Sequence, residues 1–175
     1  MINGSDRTYL GANFPKATFG LNLNAGWKGL DVTVFLQGAA NVKNYVHGIM
    51  LGQVSSSTGK PTSALQDAWT PQNTDASFPR LWSTYGQNDP GRNPSSYWIR
   101  DASYLRLKSL QLGYTIPAKY ISKIGLSRAR IYYSGQNLFT LSSFYKWVDP
   151  EAPRGDNGYT YPQVMVNSIG INVTF

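Results

Sequence analysis

Five stretches of this chain alternate apolar and polar residues with a period of two, the mark of a β-strand with one apolar and one polar face. From residue 17 to 27, Ala17, Phe19, Leu21, Leu23, Ala25 and Trp27 alternate with Thr18, Gly20, Asn22, Asn24 and Gly26. Lys28-Gly29 suits a tight turn, and residues 30–38 return with Leu30, Val32, Val34 and Leu36 opposite Asp31, Thr33, Phe35 and Gln37. Together they predict a hairpin. The longest strand is predicted over 102–116. Leu105 and Leu107 lead it, and Leu110, Leu112, Tyr114 and Ile116 follow, so the phase slips by one residue around Lys108–Ser109. An extra residue there, a β-bulge, keeps both apolar runs on one face. Pro117 has no ladder donor and ends the strand. Two more strands are predicted over 127–138 and 168–175. In the last, Ile169, Ile171, Val173 and Phe175 oppose Ser168, Gly170, Asn172 and Thr174.

The connections are unequal. Lys28-Gly29 and 117–126 are short, and the second allows one helical turn around Ala118–Ile124 that Gly125 ends. Residues 39–100 and 139–167 are long and rich in Ser, Thr, Asn, Gly and Pro, with a short helix expected over Thr62–Trp69. Antiparallel neighbours put successive connections at opposite ends, so both short turns fall at one end and both long loops at the other. That asymmetry belongs to a transmembrane β-barrel, with periplasmic turns and extracellular loops. Trp27, Tyr114 and Phe175 sit on apolar faces at the short-turn end, where an interfacial aromatic girdle is expected. Asp31, Arg106, Lys108, Arg128 and Arg130 all fall on polar faces. The expected fold is all-β, an antiparallel transmembrane β-barrel segment. Five strands do not close such a barrel, which needs at least about eight, so a larger parent is expected. The competing reading is a soluble all-β carbohydrate-binding module of lectin type, whose apolar faces would be buried against each other.

Composition narrows the chemistry. There is no cysteine and one histidine, His47, which removes thiolate and multi-histidine metal sites and leaves no Ser-His-Asp constellation. No enzyme activity and no cofactor are expected. Asp149, Glu151, Asp156 and Asn157 cluster in the last long loop, but Arg154 sits among them and the spacing fits no EF-hand, so a turn-rich loop is expected over a calcium site. The net charge of +7 is spread without a Lys/Arg run, and no nucleic-acid partner is expected. No apolar run reaches the ~20 residues of a membrane helix, and no leader sequence is visible at the N-terminus. Aromatic residues make up 14% of the chain. Many fall in the long loops, where Trp82, Tyr85, Trp98 and Trp147 are candidates for a sugar- or peptide-binding mouth. The competing role for each is packing within the loops.

The run Asp101 to Pro117, DASYLRLKSLQLGYTIP, resembles the signature near the C-terminus of SusC/RagA-type TonB-dependent outer-membrane transporters. Trp69-Thr70-Pro71-Gln72-Asn73, Pro79-Arg80-Leu81, Gln136-Asn137-Leu138-Phe139-Thr140, Asp149-Pro150-Glu151 and the closing Gly170 to Phe175 follow the same order. The resemblance covers about Phe14 to Phe175. It implies a plugged barrel of about twenty-two strands, with the plug domain absent here. It also implies energised uptake of oligosaccharides or peptides across the outer membrane of a Gram-negative, Bacteroidota-like cell. The implied partners are a SusD-like surface lipoprotein, the TonB-ExbB-ExbD system, the barrel-assembly machinery and outer-membrane lipid. Phe175 is implied as the barrel-assembly signal.

Overall fold

The computed structural model describes residues 4–45, 66–80, 94–146, 148–152 and 160–175. The chain divides into two compact units, one formed by 16–40, 103–143 and 163–175, the other by 1–15, 41–102 and 144–162.

The first unit is an antiparallel sheet of β1 (Ala17–Trp27), β2 (Leu30–Ala40), β5 (Tyr104–Thr115), β6 (Arg128–Ser142) and β7 (Val166–Thr174), in the order β1-β2-β5-β6-β7. Strands β3 (Lys43–Tyr45) and β4 (Ile99–Asp101) belong to the other unit. Sequence neighbours are spatial neighbours throughout the sheet, as in an up-and-down barrel wall. At the first turn Lys28 has φ 48° and Gly29 φ 89°, the two positive values of a type I′ hairpin turn. A side chain on Gly29 would also run into the Thr115 carbonyl, whose own amide donates to the Gly29 carbonyl at 2.7 Å. Helix α1 (Ala118–Ile121) continues into a 3₁₀ turn over Ser122–Ile124, and Gly125, at φ 79°, ends it.

The bulge on β5 is visible in the register. Val34 pairs with Leu110 and Leu36 with Leu107, so two steps along β2 match three along β5, and Lys108 is the extra residue. Val34 and Leu36 share a face, so Leu107 and Leu110 do too. The irregularity grows on β6, where Leu107 pairs with Phe139 and Ser109 with Gln136. Asn137 sits there with φ 51°.

Several strands run past their predicted bounds. β2 continues through Ala39 and Ala40, which pair with Thr18 and Ala17; small residues carry no alternation signal. β6 reaches Ser142 rather than 138 because the left-handed Asn137 interrupts the pattern while the ladder resumes beyond it. β7 begins at Val166 and ends at Thr174.

The second unit carries structure where a long loop was predicted. β3 (Lys43–Tyr45) pairs with β4 (Ile99–Asp101), and the Lys43 ammonium meets the Asp101 carboxylate at 2.9 Å. Residues 66–67 form a 3₁₀ turn and Ala68 bridges Phe78. The helix expected over Thr62–Trp69 lies mostly outside the described residues, and its described end is not α-helical. Buried apolar side chains gather in this unit, among them Val42, Phe78, Trp98, Ala102, Phe144 and Val148. In the first unit the buried apolar residues are Ala39, Leu107 and Ala129 on the strands and Ile121 on α1.

Candidate functional site

The candidate site is the sheet itself, with its two faces. Directly paired residues on antiparallel strands project to the same side. The register therefore assembles rows that neither strand shows alone. Trp27, Leu30, Tyr114, Ile131 and Ile171 form one row. The next is Ala25, Val32, Leu112, Tyr133 and Ile169, and the one after joins Leu23, Val34, Leu110, Gly135 and Asn167. Leu21, Leu36, Leu107 and Phe139 come next, then Phe19, Gly38, Leu105 and Leu141. The polar exception, Asn167, accepts a hydrogen bond at 2.6 Å from the Tyr133 hydroxyl on the same face. This face is apolar across five strands and much of it is exposed, with Leu23 51% accessible, Leu112 45% and Ile171 64%, while Leu107 beside the bulge is buried. A soluble β-sandwich buries such a face against a second sheet. The only other sheet among the described residues has two three-residue strands.

The opposite face is polar and tied together. Asp31 on β2, Gly113 on β5 and Tyr132 on β6 form one row, and Arg130 stands one row further along β6. Arg130 reaches back over β5: its Nε donates to Asp31 Oδ1 at 2.9 Å and its Nη2 to Asp31 Oδ2. Gly113 makes this possible, because a Cβ there would collide with the guanidinium. The pair is bidentate, the geometry in which a planar guanidinium matches a carboxylate. Further along, Arg106 is buried and donates from Nε to Thr140 Oγ1 at 2.7 Å. The bulge residue Lys108 donates to Gln163 Oε1 at 3.2 Å. The alternation in the sequence places these charges on a polar face without saying what each one meets. The structure pairs Asp31 and Arg130 with each other. Their separation of 99 residues hides the pair from any local pattern.

In the second unit, Asp67 organises a turn. Its carboxylate accepts from the Ser77 amide at 2.9 Å, from the Ser77 hydroxyl and from Asn73 Nδ2 at 3.1 Å. The Ser77 hydroxyl above all, then the Ser77 amide and Asn73, hold the carboxyl below its ordinary value. Thr70 and Asn73 exchange backbone hydrogen bonds around Pro71-Gln72, with Pro71 at the turn position its fixed φ suits. Thr-Pro-Gln-Asn was a turn signal available in the sequence; the carboxylate ligation was not. Trp98 is buried, edge-on to Phe78 and Tyr97, a packing position. The Tyr97 hydroxyl donates to the Ser77 carbonyl, and burial pushes its pKa up. Arg100 stands over the rings of Tyr97 and Tyr145 at 5.5 and 5.7 Å. The other binding candidates, Trp82, Tyr85 and Trp147, lie outside the described residues, as do His47, Asp156 and Asn157. Asp149 Oδ1 accepts the Glu151 amide at 2.9 Å, a local turn contact. Phe175 follows the last residue of β7 and is 88% exposed.

No family model matches the chain. Curated relatives do. It is 32% identical to the TonB-dependent receptor P3 of Formosa agariphila over 186 residues, covering 99% of the chain and 18% of that protein. It is 30% identical to the TonB-dependent receptor SusC of Bacteroides thetaiotaomicron over 158 residues, covering 89% of the chain and 15% of that protein. Among solved structures, the RagAB peptide importer in its closed-closed state superposes with a TM-score of 0.70 at 28% identity, over 94% of this chain and 18% of that one. The open-open state gives 0.68. The chain thus spans less than a fifth of the length of the proteins it matches.

Proposed function

We propose that this chain, a segment of a SusC/RagA-type TonB-dependent receptor, supplies the C-terminal wall section of a plugged outer-membrane barrel that imports nutrients. The observation that carries the reading is the two-faced sheet: five rows of apolar residues on one side, and on the other a polar surface spanned by the Asp31–Arg130 pair. Lipid takes the first face because hydrocarbon solvates it. The lumen takes the second because a charged side chain facing lipid near the midplane costs ~2–4 kcal/mol. The Lys28-Gly29 and Pro117–Leu126 connections then face the periplasm, and the long connections face the cell exterior.

On this reading the chain does no bond chemistry. The parent takes up oligosaccharides or peptides, with a SusD-like lipoprotein over the long-loop end and the TonB-ExbB-ExbD system acting through a plug outside this segment. The similarity to a peptide importer supports the peptide alternative; the similarity to SusC supports the same transporter class. The buried position of Trp98 favours loop packing over sugar stacking for that residue. The test uses the full-length parent. It should fractionate with the outer membrane, leave it only with detergent, and change mobility on heating as folded barrels do. Cells lacking it should lose uptake of its oligosaccharide or peptide. A parent that is soluble without detergent would refute the reading in favour of a soluble β-module.

A further inference from the structure

We propose that the turn end of this sheet holds the phosphate headgroups of anionic phospholipids. The inference rests on the outer-membrane reading above. Lys28, Lys119, Lys123 and Arg128 lie in the two short connections and their flanks, and neither 26–30 nor 114–128 contains an Asp or Glu. The nearest carboxylate along β2, Asp31, is already engaged by Arg130. The turn segments thus carry four cations without acidic neighbours in sequence, and Lys28 and Arg128 line one cavity.

Two of the ammonium groups sit on aromatic faces. Lys28 Nζ lies 4.8 Å from the centre of the Trp27 ring and Lys119 Nζ 4.6 Å from that of Tyr120. Trp27, Tyr120 and Ile124 are 68%, 61% and 70% exposed. A cation held over an exposed ring keeps its outer N–H groups for an external anion. Beside them is an open cavity of about 370 Å³, lined by Lys28, Thr115, Ile116, Pro117, Ser127 and Arg128. It is roomy enough for a phosphodiester, and both charged residues in its lining are cationic.

What makes the anion a lipid is the continuity of this end with the apolar face. Trp27, Leu30, Tyr114, Ile131 and Ile171 form the last full apolar row, directly beside the turn. A headgroup at Lys28 would lay its acyl chains along that row. Exposed Trp and Tyr at this level are where interfacial aromatics reside, and each Lys or Arg near an anionic surface strengthens attachment by roughly fivefold. A free phosphate in solution would have no use for the aromatic and apolar rim.

The test is native mass spectrometry of the detergent-purified full-length parent, titrated separately with phosphatidylglycerol, phosphatidylethanolamine and glycerol phosphate. Phosphatidylglycerol adducts should exceed phosphatidylethanolamine adducts by at least roughly tenfold. Replacing Lys28, Lys119 and Lys123 together with Gln should abolish that preference, and replacing them with Arg should keep it. Heat-modifiability of each variant checks that the barrel is folded. Equal adducts for the two lipids, a preference untouched by the Gln variant, or glycerol phosphate binding as tightly as phosphatidylglycerol would overturn the proposal. A folded barrel without lipid preference overturns this site alone. A parent soluble without detergent overturns the barrel reading and the site with it.

Discussion

Placing an arginine on each face of β5 tests the two-faced sheet most directly. Leu110 and Gln111 are adjacent but face opposite sides, Leu110 in the row with Val34 and Gly135, Gln111 in the row with Thr33 and Ser134. Strand residues rise about 3.4 Å each, and barrel strands tilt by about 40°. Rows two residues apart are therefore about 5 Å apart in depth. Leu110 stands two rows from the Tyr114 row, about 10 Å inside the interface of an apolar band about 25 Å tall, close to its midplane. Leu110→Arg should then cost about 2–4 kcal/mol, a roughly 30- to 700-fold loss in the folding equilibrium. The nearest polar groups on that face, Tyr133 and Asn167, are bonded to each other and offer the guanidinium little. Leu112→Arg, one row shallower, should cost less, and Tyr114→Arg at the interface about 0–1 kcal/mol. Gln111 accepts a hydrogen bond from Arg130 Nη2 at 3.5 Å, so Gln111→Arg sets a second cation beside that guanidinium, but on the polar face it should still cost clearly less than Leu110→Arg. The assay is reversible denaturant unfolding of the full-length barrel in bilayers, alongside the folded fraction in outer membranes. Equal costs at Leu110 and Gln111, or a larger cost at Tyr114 than at Leu110, would refute the assignment of faces.

Gly113→Val should displace Arg130 from Asp31, and the destabilisation of Gly113→Val and Asp31→Asn should be strongly non-additive in a double-mutant cycle; simple additivity would mean that the glycine does not serve the pair. Asp67 has a depressed folded-state pKa, so its contribution is present above the ordinary carboxylate value and is lost as pH falls below about 3.8 through the folded pKa. Hydrogen exchange of the Ser77 and Phe78 amides should accordingly rise, relative to the intrinsic rate, only in that acidic range, and Asp67→Asn should remove the pH dependence. Cysteines introduced at Ser56 and Gly155, positions outside the described residues, should react with an impermeant reagent on intact cells, and cysteines at Lys28 and Lys123 should not. Deleting Phe175 from the parent should sharply lower the folded barrel in the outer membrane, whereas Phe175→Leu should do so less; equal and mild effects would reduce it to an ordinary apolar residue.

The sequence alone determined the strands and the sidedness of each. Period-two alternation is local, and a strand that divides lipid from water must write that division at every second residue, so Phe19 to Trp27 and Ile169 to Val173 were legible without a partner. The slip at Lys108–Ser109 was legible for the same reason, since a bulge leaves an offset in the pattern. Strand ends were less so, because Ala39, Ala40 and the left-handed Asn137 carry no alternation although they lie in the ladder. Within residues 39–100 the sequence predicted a long loop with a short helix over Thr62–Trp69, but β3 meets β4 and Asp67 gathers Asn73 and Ser77 there; short strands and side-chain ligation are too small to set a period. Only the tertiary structure decided which charges meet. Asp31 and Arg130 are on neighbouring rows of strands that do not touch, and whether they join depends on the register of both β2 and β6 against β5 and on Gly113 leaving the path open. Pairing between distant strands is a property of the assembled ladder, and one residue of slip would have sent Arg130 to the apolar face.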